Sequence, residues 1–214
     1  MSESVSLAQV ARAGFTDLEA GRASVERVAT LAGITVEDAL LIFASSADPS
    51  RAGTEFARLY DLDTSSVTSL ARDPEALRRL VLVLGGSRGL AEFLQRHPAS
   101  LRVLRKPLSA LPTQEEARKA LCAAVDAKEG FAAVTGDIGK EALRVRYREL
   151  LVAVAAYDLG SAEPVVVVDA VAAALADLAG GAIEASLAVA RADLVGDFTR
   201  EEIDLVELSV ISTI

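Results

Sequence analysis

Arg144 and Arg148 stand four residues apart in Leu143-Arg144-Val145-Arg146-Tyr147-Arg148-Glu149-Leu150-Leu151. On a helix that is one turn, so two guanidinium groups can face a common anion. Tyr157-Asp158 closes the same predicted helix. Salt bridging of these arginines to the acids of the C-terminal helix competes with substrate contact, and the sequence favours the salt bridges. Leu84-Gly85-Gly86-Ser87-Arg88-Gly89 offers a second candidate, because glycines let backbone amides converge on a phosphate. It lacks the Lys-Ser/Thr of a P-loop and follows no strand in an alternating βα pattern, so a turn between helices is expected. Val28-Ala29-Thr30-Leu31-Ala32-Gly33-Ile34-Thr35 has helix-turn-helix spacing and would suit a ligand-responsive repressor. Its recognition helix would open Thr35-Val36-Glu37-Asp38-Ala39-Leu40-Leu41, turning two carboxylates and several apolar side chains toward phosphates that require cations.

The thiol and imidazole chemistry is sparse. Cys122, the single cysteine, lies in Ala120-Leu121-Cys122-Ala123-Ala124-Val125 and reads as a small core residue. His97, the single histidine, lies in Arg96-His97-Pro98, where a helix must end before the proline, and reads as a helix-end donor. One His and one Cys do not furnish a tetrahedral zinc site. No residue is assigned a catalytic, cofactor-binding or metal-binding role.

Net charge is −9, which argues against nonspecific binding to nucleic acid or to anionic membrane. Its distribution is uneven. From residue 72 to 106, Arg72, Arg78, Arg79, Arg88, Arg96, Arg102, Arg105 and Lys106 face Asp73, Glu75 and Glu92 only, whereas beyond Arg148 only Arg191 and Arg200 oppose many acids. Complementary faces within one helical assembly explain this; a dock for an acidic partner is the alternative. Apolar residues come in periodic patches with no uninterrupted run of the ~20 that span a bilayer, and the start carries no basic-then-apolar signal. A cytoplasmic, soluble chain is expected.

The elements that must position these residues are marked by caps. Thr16-Asp17-Leu18-Glu19, Thr113-Gln114-Glu115-Glu116 and Thr199-Arg200-Glu201-Glu202 each place a hydroxyl at an N-cap with Glu three residues on. Asp48-Pro49 and Asp73-Pro74 place a capping carboxylate before a proline at the first helical position. The marks predict helices near Ser2 to Arg12, Thr16 to Ala32, Val36 to Ala44, Pro49 to Tyr60, Ser65 to Ala71 and Pro74 to Leu84. Others are predicted near Gly89 to His97, Ala99 to Arg105, Gln114 to Ala127, Gly139 to Asp158 and Asp169 to Leu194. Val165-Val166-Val167-Val168 is β-branched and reads as the approach to the last of these. That helix carries two apolar seams expected to be buried, Val171, Leu175, Leu178, Ala182, Ala185, Val189 and Ile183, Leu187, Ala190, Leu194, with a weak point at Gly180-Gly181. The fold class is mainly α, a multi-helix assembly. It ends in one orphan strand, Glu207 to Ile214, which has no partner to pair with.

Taken in order, several segments resemble the bifunctional glutamine synthetase adenylyltransferase and adenylyl-removing enzymes of actinobacteria. The resemblance rests on Leu84-Gly85-Gly86-Ser87-Arg88-Gly89-Leu90-Ala91-Glu92-Phe93-Leu94-Gln95-Arg96-His97-Pro98, on Arg146-Tyr147-Arg148-Glu149-Leu150-Leu151 with Ala155-Ala156-Tyr157-Asp158-Leu159, on Val171 through Leu194, and on Asp48-Pro49. It implies regulation of glutamine synthetase by transfer and removal of an adenylyl group in nitrogen metabolism. It further implies a polymerase-β-like nucleotidyltransferase core that uses ATP and Mg2+, with glutamine synthetase and a nitrogen-signalling regulatory protein as partners. Val206 to Ile211 would be the first strand of that core. Ser212-Thr213-Ile214 stands where the family has a Gly-Met-Gly-Lys-like loop, and the Ser-Asp-x-Asp segment that binds magnesium does not follow. The expectation is therefore an amino-terminal part, from a truncated or frameshifted gene and inactive alone, to which neither Mg2+ nor ATP binds. Its regions would be 1–72 (amino-terminal helices), 73–204 (helices before the core) and 205–214 (truncated strand). A helical protein-interaction module acting through Arg72 to Lys106, and the repressor, are the alternatives.

Overall fold

The computed structural model describes residues 5–107 and 109–204. It is mainly α, as the caps predict: α1 Leu7–Arg12, α2 Leu18–Ala32, α3 Val36–Ala44, α4 Pro49–Leu62, α5 Thr64–Ala71, α6 Pro74–Gly86, α7 Arg88–Arg96, a 3-10 helix Pro98–Arg105, α8 Gln114–Ala124, α9 Gly136–Leu159, α10 Pro164–Leu194 and α11 Arg200–Asp204. Among the described residues the only β pairing is two isolated bridges, Lys128 with Phe131 and Val195 with Phe198. The predicted strand Glu207 to Ile214 lies outside the described residues.

The caps work as local chemistry dictates. Asp48 accepts from the Arg51 amide at 2.9 Å and Asp73 from the Glu75 and Ala76 amides, each ahead of a proline whose missing N–H costs nothing there. Thr113 and Glu116, and likewise Thr199 and Glu202, form reciprocal capping boxes. At α2 the cap is Asp17 rather than Thr16. Asp17 takes the Ala20 amide at 3.0 Å, while Thr16 turns to Ser50 on α4. Ser6 and Gln9 make a further box that opens α1.

Two other expectations change, and one predicted weak point acquires a packing role. Residues 98–105 form a 3-10 helix, whose three-residue period brings Leu101 and Leu104 into the interior together. Val165–Val168 belong to α10, because Pro164 at the first position seeds the turn. Gly180-Gly181 does not interrupt α10: a Cβ on Gly181 would lie 3.1 Å from the Arg118 backbone, so this glycine lets α8 approach closely.

The chain divides into two compact units, Met1–Leu111 with Arg148–Ala173, and Pro112–Tyr147 with Ala174–Ile214. In the first, α6 is the central element, with Leu77, Leu80, Val81, Val83 and Leu84 at zero exposure. Phe43, Phe56, Leu59, Leu70 and Leu94 close around it. The division falls within α9 and α10. The second unit takes α8, the first part of α9 and the later part of α10, with an interior of Ala117, Leu121, Val125, Leu143, Leu178, Ala185 and Val189.

Candidate functional site

In the first unit, the most developed polar constellation centres on Glu149, which is 2% exposed. Its carboxylate accepts from the Ser100 hydroxyl at 2.9 Å and from both Arg102 nitrogens, Nη1 at 2.5 Å and Nη2 at 3.0 Å. A buried carboxylate is tolerated only when it is hydrogen-bonded, and these three donors, two of them charged, meet that requirement. The group ties α9 to the 3-10 helix. A second buried acid, Glu55 on α4, accepts from Gln95 Nε2 at 2.5 Å and from Arg58 at 3.1 Å. Both clusters brace helices against one another.

The arginines proposed to share an anion serve different surroundings. Arg144 pairs with Glu141 on its own helix at 3.4 Å, because an acid three residues away is nearer than any on α10. It also lines a groove of about 410 Å3 in the second unit, with Lys140, Leu143, Tyr147, Ala182, Ser186, Val189, Ala190 and Asp193. Arg148 is exposed beside Gly89 in the first unit. The ion pair that does reach α10 comes from Arg118 on α8, which meets Glu184 at 2.7 Å and Glu115 at 2.9 Å. Hydrogen bonding to Glu115 and then to Glu184 holds the Arg118 guanidinium even more firmly protonated than usual.

The glycine loop is a helix junction. The Gly85 carbonyl accepts from Arg51, and a Cβ there would meet Ser46 at 2.8 Å; one on Gly86 would meet Leu159 at 2.6 Å. The Ser87 amide is taken by the Val83 carbonyl and the Leu90 amide by the Ser87 hydroxyl, so neither is aimed at a phosphate. Between α2 and α3, Gly33 takes a left-handed conformation with φ 66°. Thr35 and Asp38 bond each other at the start of α3, and Leu41 stands 67% exposed. Acids and a bare leucine are poor faces for DNA.

His97 caps α7 through its amide to the Phe93 carbonyl and packs its ring on Phe93 at 5.0 Å. Cys122 is half-buried rather than in the core, because α8 turns Ala117 and Leu121 inward. Burial pushes its thiol up, which keeps it protonated at neutral pH and a poor nucleophile. Neither predicted seam of α10 is covered throughout, and the first is covered at most of its positions. Val171, Leu178, Ala185 and Val189 are buried, but Leu175, Ile183 and Leu194 stand 39–43% exposed. Among the described residues α10 is also long and apolar enough to cross a membrane by length and composition, despite Asp169, Asp177 and Glu184 along it.

Among the described residues no three His, Cys, Asp or Glu side chains stand together as a metal site. What the fold and its polar clusters define is a helical region in which charge is spent on fastening helices. The chain is similar to the bifunctional glutamine synthetase adenylyltransferase/adenylyl-removing enzyme of Leifsonia xyli subsp. xyli, with 45% identity over 194 residues, 91% of this chain and 19% of the relative. The enzymes of the same name from Bifidobacterium longum subsp. infantis (30% identity over 87% of this chain and 18% of the relative) and Mycobacterium avium (34% over 90% and 20%) are also similar. The chain thus resembles part of these enzymes and spans about a fifth of the length of the curated relatives it matches. No protein-family model and no solved structure matches.

Proposed function

We propose that this chain is a helical, non-catalytic portion of the machinery that adenylylates and deadenylylates glutamine synthetase in bacterial nitrogen metabolism. The observation that carries this reading is the 45% identity sustained over 91% of the chain with an enzyme so named. Glutamine synthetase is then the substrate served, a nitrogen-signalling protein its controller, and the cytoplasm its location. The described residues do not fit a two-metal centre, which requires carboxylates converging on the ions. In this reading ATP and Mg2+ therefore act on a part of such an enzyme other than the helices described here, and no step is routed through them.

The test is to incubate the purified chain with adenylylated glutamine synthetase, phosphate and Mg2+, and separately with unmodified enzyme and ATP. The expected outcome is neither release of ADP nor new adenylylation. Metal-dependent turnover in either direction, abolished by EDTA, contradicts the proposal.

A further inference from the structure

The basic stretch from Arg72 to Lys106 separates into cations the fold uses and cations it leaves over. Arg79 donates to the Leu104 carbonyl at 2.7 Å and approaches Asp73 at 3.8 Å. Arg88 and Arg96 share Glu92, and Arg102 holds Glu149. Arg78 lies beside Gly160, just past the end of α9, where unpaired carbonyls favour a cation. Arg72, Arg105 and Lys106 remain, all exposed and with no carboxylate within 4.0 Å among the described residues.

Two of these leftover cations meet at the end of α5, and the third adjoins them in sequence. Arg105 Nη2 donates to the Ser69 hydroxyl at 2.8 Å, which draws the guanidinium onto α5. Arg72 caps α5 in helical conformation three residues after Ser69, hence on the same face. Lys106, also exposed, is the next residue in the chain, just past the 3-10 helix. The C-terminus of α5 supplies about half a negative charge at most, against three full positive ones. Positive charge is therefore left facing water in a chain whose net charge is −9.

We propose that Arg72, Arg105 and Lys106 form a docking point for an acidic segment of a protein partner. Carboxylate side chains match it better than nucleic acid does, because the overall negative field repels a long polyanion while a short acidic segment can meet the patch locally. This inference stands on the patch geometry and does not depend on the functional reading above. Exposed ion pairs each contribute up to about fivefold in affinity. Three together give modest, strongly salt-sensitive binding.

The experiment is fluorescence anisotropy with a fluorescein-labelled 12-residue glutamate-rich peptide and the full chain, at low and high salt. Binding is expected at low salt, weakened at least about tenfold by R72E/R105E/K106E and left within twofold by the control K140E/R144E in the other unit. Circular dichroism checks folding, and if the triple variant fails to fold, R72Q/K106Q replaces it with an expected loss of about fivefold or more. No binding at low salt, equal loss in the control, or an unaffected triple variant overturns the proposal. So does tighter binding of a labelled oligonucleotide than of the peptide, or full displacement of the peptide by millimolar inorganic phosphate.

Discussion

The two units of this chain are built from different interiors. Among the described residues, ten of the twelve largest fully buried side chains lie in the first unit, and Leu121 and Leu178 in the second. The first unit surrounds α6 with leucine and phenylalanine, so removing one side chain leaves a cavity its neighbours cannot close. The second has fewer fully buried leucines and adds alanine and glycine contacts such as Ala117, Ala185 and Gly181, where backbones approach closely but less apolar area is removed from water. It also leaves Ile138, Ile183, Leu194, Val195 and Phe198 at the surface. The first unit exposes large apolar side chains too, among them Leu41, Leu62, Val165 and Val166, so the units differ in the size of what they bury rather than in what they leave at the surface.

The largest effect should come from the heart of the first unit. Leu80→Ala is expected to cost about 4 kcal/mol, read as a lower urea midpoint at unchanged slope. Next comes the Glu149 clamp: Arg102→Ala removes the two-pronged guanidinium contact from a buried carboxylate. Because Arg102 is itself 61% exposed, a cost of about 2–3 kcal/mol is expected, less than for a fully buried pair. A conservative Arg102→Lys should recover only part of it, since an ammonium cannot reproduce the two-pronged contact.

The adjacent glycines of α10 sharpen the contrast within the second unit. Gly181→Val should destabilise by about 1–3 kcal/mol by forcing α8 away. Gly180→Ala, where an added Cβ meets nothing within 4 Å, should stabilise by about 0.5–1 kcal/mol through helix propensity. If both substitutions shift the thermal midpoint alike, the close approach of α8 and α10 is wrong. Ile183→Ser on the open seam should change stability by less than about 0.5 kcal/mol, while reducing binding of a hydrophobic dye.

The smallest effect is in the caps. Glu116 is held below its ordinary value by the Thr113 amide and hydroxyl, and Glu202 likewise by Thr199. Glu115 is lowered by hydrogen bonding to Arg118, and Asp63 by Ser66. A depressed carboxylate adds stability above its unfolded pKa and loses it as pH falls through the folded one. For the glutamates the loss therefore begins below 4.5. Carboxyl NMR titrations should place all three glutamates below that value, and midpoints at or above it would remove the cap contribution.

Much of the fold was legible because caps are local. Asp48, Asp73 and Thr113 bond amides within three residues, so their spacing carries the whole interaction. Ser6 with Gln9 carries the same signal and could have been found by the same reasoning. The Glu149 clamp was not legible, since Ser100 and Arg102 lie 49 and 47 residues away and only tertiary packing joins them. The one hint is an acid set between Arg148 and Leu150 on a helix that turns it inward. For α10 the pattern led to two buried seams, and the exposure of Leu175, Ile183 and Leu194 overturns part of that, because periodicity reports a face and not its neighbour. Likewise the basic stretch was visible as a run of arginines, yet only geometry separates Arg79, Arg88, Arg96 and Arg102, which are paired, from Arg72, Arg105 and Lys106.

Hydrogen exchange on the intact chain tests the contrast between the units most directly, comparing the amides of α6 in the first with those of α8 in the second. The account predicts that the interior amides of α6 exchange slowest of all, near the limit set by global unfolding, while those of α8 open at markedly lower free energy. Equal protection in α6 and α8 would contradict it.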